Sequence, residues 1–191
     1  MPSPNPKQSA ARQAWSPMLW VFIASALFGY AVLPYLSPRA SKSGALIGQP
    51  APDFSLPVFH GGDAGSRIQL SSLAGQVVVL DFWASWCQPC VAQAGILSAM
   101  APRLEADVMI VGVNTDDTLE RARQFASSHA LPYPSVLDGG EAANAYGARS
   151  LPTLIVIDRK GRISSASVGV MSESELQSAI EEAGAKSGSS G

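Results

Sequence analysis

The sequence predicts an α/β domain, with helices covering the faces of a mixed sheet, behind an N-terminal transmembrane helix. Three features predict it. Unbroken apolar runs rich in β-branched residues alternate with segments carrying helix-capping signals, the pattern of a sheet with parallel pairs. A late pair of strands joined by Asp158-Arg159-Lys160-Gly161 adds an antiparallel edge. No charged residue occurs between Arg12 and Arg39.

Residues 1–17 form an N-terminal tail, and Met18 to Leu36 the expected anchor. At ~1.5 Å per residue a helix of about 19 residues nearly spans the ~30 Å hydrocarbon core. Trp20 and Tyr35 suit the two water interfaces. A cleaved signal needs an apolar core of ~7–15 residues followed closely by small residues. Ala24-Ser25-Ala26 lies inside the run, and Ser43 and Ala45 lie far beyond it. An uncleaved anchor is therefore expected over a signal peptide. Lys7 and Arg12 before the run nearly balance Arg39 and Lys42 after it; the free amino terminus tips the count toward a cytoplasmic N-terminus. Residues 37–47, rich in Ser, Pro, Gly and Ala, read as a linker, and 185–191 as a flexible tail.

Between them, 48–184 is of a size that comfortably closes one core. Phe54–Val58 and Ile68–Leu70 read as short strands around Gly61-Gly62. The run Val77–Phe82 suits a central strand buried on both faces. A helix is expected from near Cys87 through Leu97, kinked or divided by Pro102. Val108–Val113 reads as a second buried strand. Asp117 and Glu120 have capping-box spacing before a helix running to His129. Thr153–Ile157 and Ile163–Val168 form the late hairpin. Ser172 and Glu175 repeat the capping spacing ahead of a last helix with Leu176 and Ile180 inward.

The chemistry concentrates at Trp86-Cys87-Gln88-Pro89-Cys90, where a strand gives way to a helix. Two intervening residues let both sulfurs meet across the first helical turn. Cys87 then sits at the helix N-terminus, where unpaired N–H groups and the dipole favour a thiolate able to attack a substrate disulfide. Cys90, one turn deeper, resolves the mixed disulfide. Zinc would need two further ligands, and His60 and His129 lack paired spacing; a static bridge across four residues would close almost no loop. Asp81 interrupts the central strand, as either a partly exposed strand end or a buried acid whose raised pKa makes it a base near neutrality. Pro152 is either a strand-start proline or something more specific.

Composition removes other classes. The net charge of −2 and pI near 5.6 leave no basic footprint for nucleic acid. Two cysteines exclude a disulfide-dense scaffold. Neither a metal nor an organic cofactor is expected.

FWASWCQPC after an apolar strand resembles the thioredoxin-fold oxidoreductases. APDFSLPVF, IQLSSLAGQVVVLDFWASWC and SLPTLIVIDRKGRI together resemble the TlpA-like family of membrane-tethered bacterial thiol–disulfide oxidoreductases, which includes the cytochrome c maturation thioredoxins. The resemblance covers about residues 48–184. It implies a thioredoxin fold, a catalytic domain on the periplasmic or outer side of a single-pass anchor, and protein disulfides as substrates. Asp81, six residues before Cys87, matches the acid that relays a proton for the second cysteine. Pro152 matches the cis-proline packed beside the C-x-x-C, so that the Leu151 peptide pairs with substrate backbone, and Trp86 shapes the contact surface.

There are departures. Val91, Gln93 and Gly95 stand where the family often carries a base, an acid and a proline. The neutral Gln93 questions any acid-dependent tuning of the kind found in cytochrome-maturation members. No cation lies between or just after the cysteines, so the Cys87 thiolate is only moderately stabilised and the disulfide is hard to reduce. A reductant is expected, re-reduced by a membrane electron donor. Two rival readings stay open at this stage: a peroxiredoxin-like peroxidase, which wants Thr where Ala84 stands, and a non-enzymatic tethered binding module.

Overall fold

A computed structural model describes residues 20–28, 44–63 and 65–188. The chain divides into two compact units, Met1–Arg39 and Ala40–Gly191. In the first, residues 20–28 are helical, with Trp20, Phe22 and Phe28 exposed. The remainder of the expected 18–36 span lies outside the described residues, as do the tail 1–17 and most of the linker 37–47. Among the described residues no helix is long and apolar enough to cross a membrane.

The second unit holds strands β1 (Ser55–His60), β2 (Arg67–Gln69), β3 (Val77–Trp83), β4 (Val108–Thr115), β5 (Ser135–Asp138), β6 (Thr153–Ile157) and β7 (Ile163–Val168). They form one sheet in the order β2-β1-β5-β4-β3-β6-β7. β4 runs parallel to β3 and β5, whereas β1, β6 and β7 pair antiparallel with their neighbours. The early hairpin therefore forms an antiparallel edge of its own, opposite the late one.

Helices α1 (Gln88–Met100), α2 (Leu119–Ser128) and α4 (Glu173–Gly188) cover one face, and α3 (Glu141–Tyr146) the other. β3 lies between them with all seven residues buried. Val77, Val79 and Trp83 join Leu97, Phe125 and Leu176 in one core; Val78, Leu80 and Phe82 join Tyr146 and Ile155 in the other. That is why its apolar run does not alternate.

Several elements depart from expectation. Leu70 belongs to a 3-10 turn rather than to β2. α1 ends at Met100, and Pro102 falls in a separate 3-10 turn. α2 is capped by Thr118, whose side chain accepts from the Arg121 N–H, and not by Asp117. Ser172 and Glu175 do form a capping box: the Ser172 N–H donates to Glu175 Oε2 at 2.8 Å, and the Glu175 N–H to the Ser172 hydroxyl at 3.4 Å. Leu176 and Ile180 point inward, as expected. β5 and α3 are additions the pattern reading lacks. Asp138 at the end of β5 accepts from the N–H groups of Ala142 and Ala143, and left-handed Gly140 and Gly147 bracket the helix.

Candidate active site

β3 ends at Trp83, and a four-residue turn then delivers Cys87 to the N-cap position of α1. The turn is closed by the Cys87 N–H donating to the Ala84 carbonyl at 3.1 Å, and the helix opens with Cys90 N–H donating to the Cys87 carbonyl at 3.1 Å. Pro89 sits in the first turn, where its missing N–H removes no helical bond. Cys87 and Cys90 are joined by a disulfide with Cα atoms 5.3 Å apart. Both are buried, Cys87 4% and Cys90 1% exposed. Trp86, immediately before Cys87, is 58% exposed.

Asp81 lies on β3 opposite Gly112 of β4 and Leu154 of β6. It is 2% exposed, so the strand-end alternative does not hold. Burial pushes its pKa up to about 7, with a smaller opposing contribution from the Tyr133 hydroxyl. That hydroxyl lies against the carboxyl in a contact short of a well-formed hydrogen bond, since neither Asp81 Oδ1 nor Tyr133 Oη has a fully aligned partner. Tyr133 is itself driven upward by burial and by the acid beside it. Asp81 shares its face of β3 with Trp83 and Val79, which pack into the core containing Cys90 and α1. The acid thus backs the helix that carries Cys90.

The Leu151–Pro152 peptide is cis. Leu151 and Trp86 share an open groove of about 630 Å³ with Arg149, Asp116 and Asn144. Sequence reading missed a further exposed apolar element near the cis-proline. The Gly169 N–H donates to the Pro152 carbonyl at 2.8 Å, which sets Val168 and Val170, 47% and 46% exposed, beside the cis-proline. Two valines around a glycine at a strand end are the only signal in the sequence, and exposure is what gives them meaning. Gln93, at the family's acid position, is fully buried; its Oε1 accepts from the Met171 N–H at 2.8 Å, tying α1 to the same loop.

Among the described residues no group of three or more His, Cys, Asp or Glu side chains converges on a metal position. His60 Nε2 pairs with the Leu131 carbonyl and His129 Nδ1 with that of Phe125. Ala84 is fully buried and offers no hydroxyl near Cys87, which disfavours the peroxidase alternative.

Such a C-x-x-C disulfide at a helix N-terminus, with a buried acid behind and a cis-proline beside it, defines a thioredoxin-fold thiol–disulfide oxidoreductase. The chain belongs to the AhpC/TSA family, whose model matches residues 47–166. It is 34% identical over 152 residues to the thiol:disulfide interchange protein DsbE of Xylella fastidiosa strain Temecula1, covering 76% of this chain and 75% of that one. To the thiol-disulfide oxidoreductase ResA of Geobacillus thermodenitrificans it is 29% identical, covering 82% and 87%. Among solved structures, a DsbE-type interchange protein from Chlorobium tepidum superposes with a TM-score of 0.65 at 33% identity, over 72% of this chain and 96% of that one. The TlpA-like resemblance holds on these relatives.

Proposed function

We propose that the protein reduces disulfides of extracytoplasmic proteins, including those handled in cytochrome c maturation, while tethered to the bacterial cytoplasmic membrane by residues 18–36. The Cys87 thiolate attacks a substrate disulfide, forming a mixed disulfide and releasing one substrate thiolate. Asp81 takes the proton from Cys90; the Cys90 sulfur attacks Cys87 and releases the second substrate sulfur. Two electrons pass to the substrate, and the Cys87–Cys90 disulfide remains for a membrane electron donor to reduce. Leu151 and Pro152 align the substrate backbone, and Trp86 with Val168 and Val170 contacts its side chains.

One observation carries the reading: Cys87 is the N-cap of α1, joined to Cys90 one turn on, with a buried acid of pKa about 7 on the strand behind. The reducing direction is supported by Gln88 and Val91, which bring no cation to the sulfur. Equilibrating the domain with glutathione buffers tests it. A potential near or below about −200 mV is expected, within the span from glutaredoxins to thioredoxin; one above about −150 mV would make the protein an oxidant.

A further inference from the structure

Because Thr118 caps α2, Asp117 is free for another task. Its carboxylate reaches the turn that presents the redox pair. Oδ2 accepts from the Ser85 N–H at 2.6 Å and from Asn114 Nδ2 at 3.1 Å. Oδ1 accepts from the Ser85 hydroxyl at 3.0 Å and from the Thr118 N–H at 2.8 Å. Next to it the Trp86 indole N–H donates to the Asp116 carbonyl at 2.8 Å, where Asp116 adopts a left-handed φ of 52°. Ser85 and Trp86 are the two residues before Cys87, so the β4–α2 loop grips the segment that leads into the attacking sulfur.

This acid is an anion at working pH. Partial burial raises its pKa, but the donors from Ser85, Asn114 and Thr118 outweigh that and leave it below the usual carboxylate range. No carboxylate on α1 competes for the role: its first turn has none, and Gln93 is a carboxamide. The other charged or titratable side chains nearby are Asp116 on the same loop, Arg121 and His129 in the depression that Ser85 and Trp86 line, Arg149 across Trp86 in the substrate groove, and Asp81 on β3 behind α1.

We propose that Asp117 is the positioning residue that tunes this redox pair: clamped on Ser85, its negative charge opposes the Cys87 thiolate and favours the disulfide. The inference rests on the redox reading above. A nearby anion disfavours a thiolate, and a dithiol whose thiolate is less stabilised is the stronger reductant. The acid-dependent tuning that Gln93 cannot supply from the helix thus comes from the adjoining loop.

Asp117→Asn removes the charge with little change of shape. Its oxygen still accepts from Ser85 and Asn114, its amide can donate to the Ser85 hydroxyl, and only the Thr118 contact is lost. Equilibrium against glutathione and the pH dependence of Cys87 alkylation are measured on the variant. The equilibrium should shift about threefold or more toward the dithiol, with a lowered Cys87 pKa. Ser85→Ala, which removes a contact but no charge, should stay near the wild-type equilibrium. Unchanged values in Asp117→Asn overturn the proposal, as does a shift of equal size in Ser85→Ala. Should Asp117→Asn fail to fold, Asp117→Ser, which also removes the charge, is measured in its place: a shift toward the dithiol supports tuning by charge, and a wild-type equilibrium overturns it. Insulin reduction by the wild-type protein checks the underlying redox reading separately.

Discussion

The proton relay proposed for Asp81 comes at a cost in stability. A carboxyl 2% exposed with a pKa near 7 holds a proton that the unfolded chain, titrating near its ordinary value of 3.8, has already released. Between about pH 4 and pH 7 the folded state binds more protons than the unfolded one, so Asp81 erodes stability as pH rises through that window and by a constant amount above it. Asp81→Asn should therefore stabilise the oxidised protein by about 2–4 kcal/mol at pH 8 and by little at pH 4. On the proposed relay, insulin turnover at pH 7 should fall about tenfold or more. Urea titrations at the two pH values, with the turnover assay, check both halves; an equal gain at both pH values would mean the acid is not titrating in the fold. Asp81 was legible because it is the one polar residue in an apolar run. Tyr133 was not: it comes from a loop between Pro132 and Pro134, 52 residues away, and only the tertiary fold sets it against the acid.

At the level of elements, two glycines behave oppositely. Gly95 lies in the middle of α1, exposed, with no atom within 4 Å of a Cβ added there. Gly112, on β4 beside Asp81, would put its Cβ 2.6 Å from Ser135 Oγ and 2.9 Å from Trp83 Nε1. Gly95→Ala should stabilise by about 0.5–1 kcal/mol, by removing a helix-interior glycine. Gly112→Ala should destabilise by about 1–3 kcal/mol, because Trp83 and Ser135 are buried and cannot withdraw. Thermal denaturation of the two variants separates these signs. The long apolar strands and the Ser172 capping box were readable because their signals are local and redundant. β5 and α3 were not: four and six residues are too short to show a period, and Asp138 reveals its capping role only once the chain has turned at Gly139-Gly140. Asp117 misled for a related reason. Capping spacing marks a helix start to within a residue, and the acid one position early was taken by a neighbouring loop.

For the whole molecule, the question is where the catalytic domain begins. The sequence placed the boundary at residue 48 from composition alone, and the hydrogen bonds around it indicate what that segment does. The Gly48 N–H donates to the Ile163 carbonyl at 2.7 Å, the Ile163 N–H to that of Gln49 at 3.0 Å, and the Ala51 N–H to that of Gly161 at 2.8 Å. Pro50 bridges Arg162. Leu46 and Ala51 pack against the core that contains Leu70 and Ile157. Residues 46–51 thus form a strap over the β6–β7 turn. A fragment starting at Ser43 should fold, remain soluble and reduce insulin at the full-length rate, whereas the full chain, by way of residues 18–36, should fractionate with membranes. A fragment starting at Pro52 loses three main-chain hydrogen bonds and the burial of Leu46. Each bond contributes about 0.5–1.5 kcal/mol net, so the three together are worth about 3 kcal/mol and the Tm should fall by about 10 °C. Equal Tm values for the two fragments would show the strap to be part of the linker. A Ser43 fragment that will not fold would instead extend the domain toward the membrane.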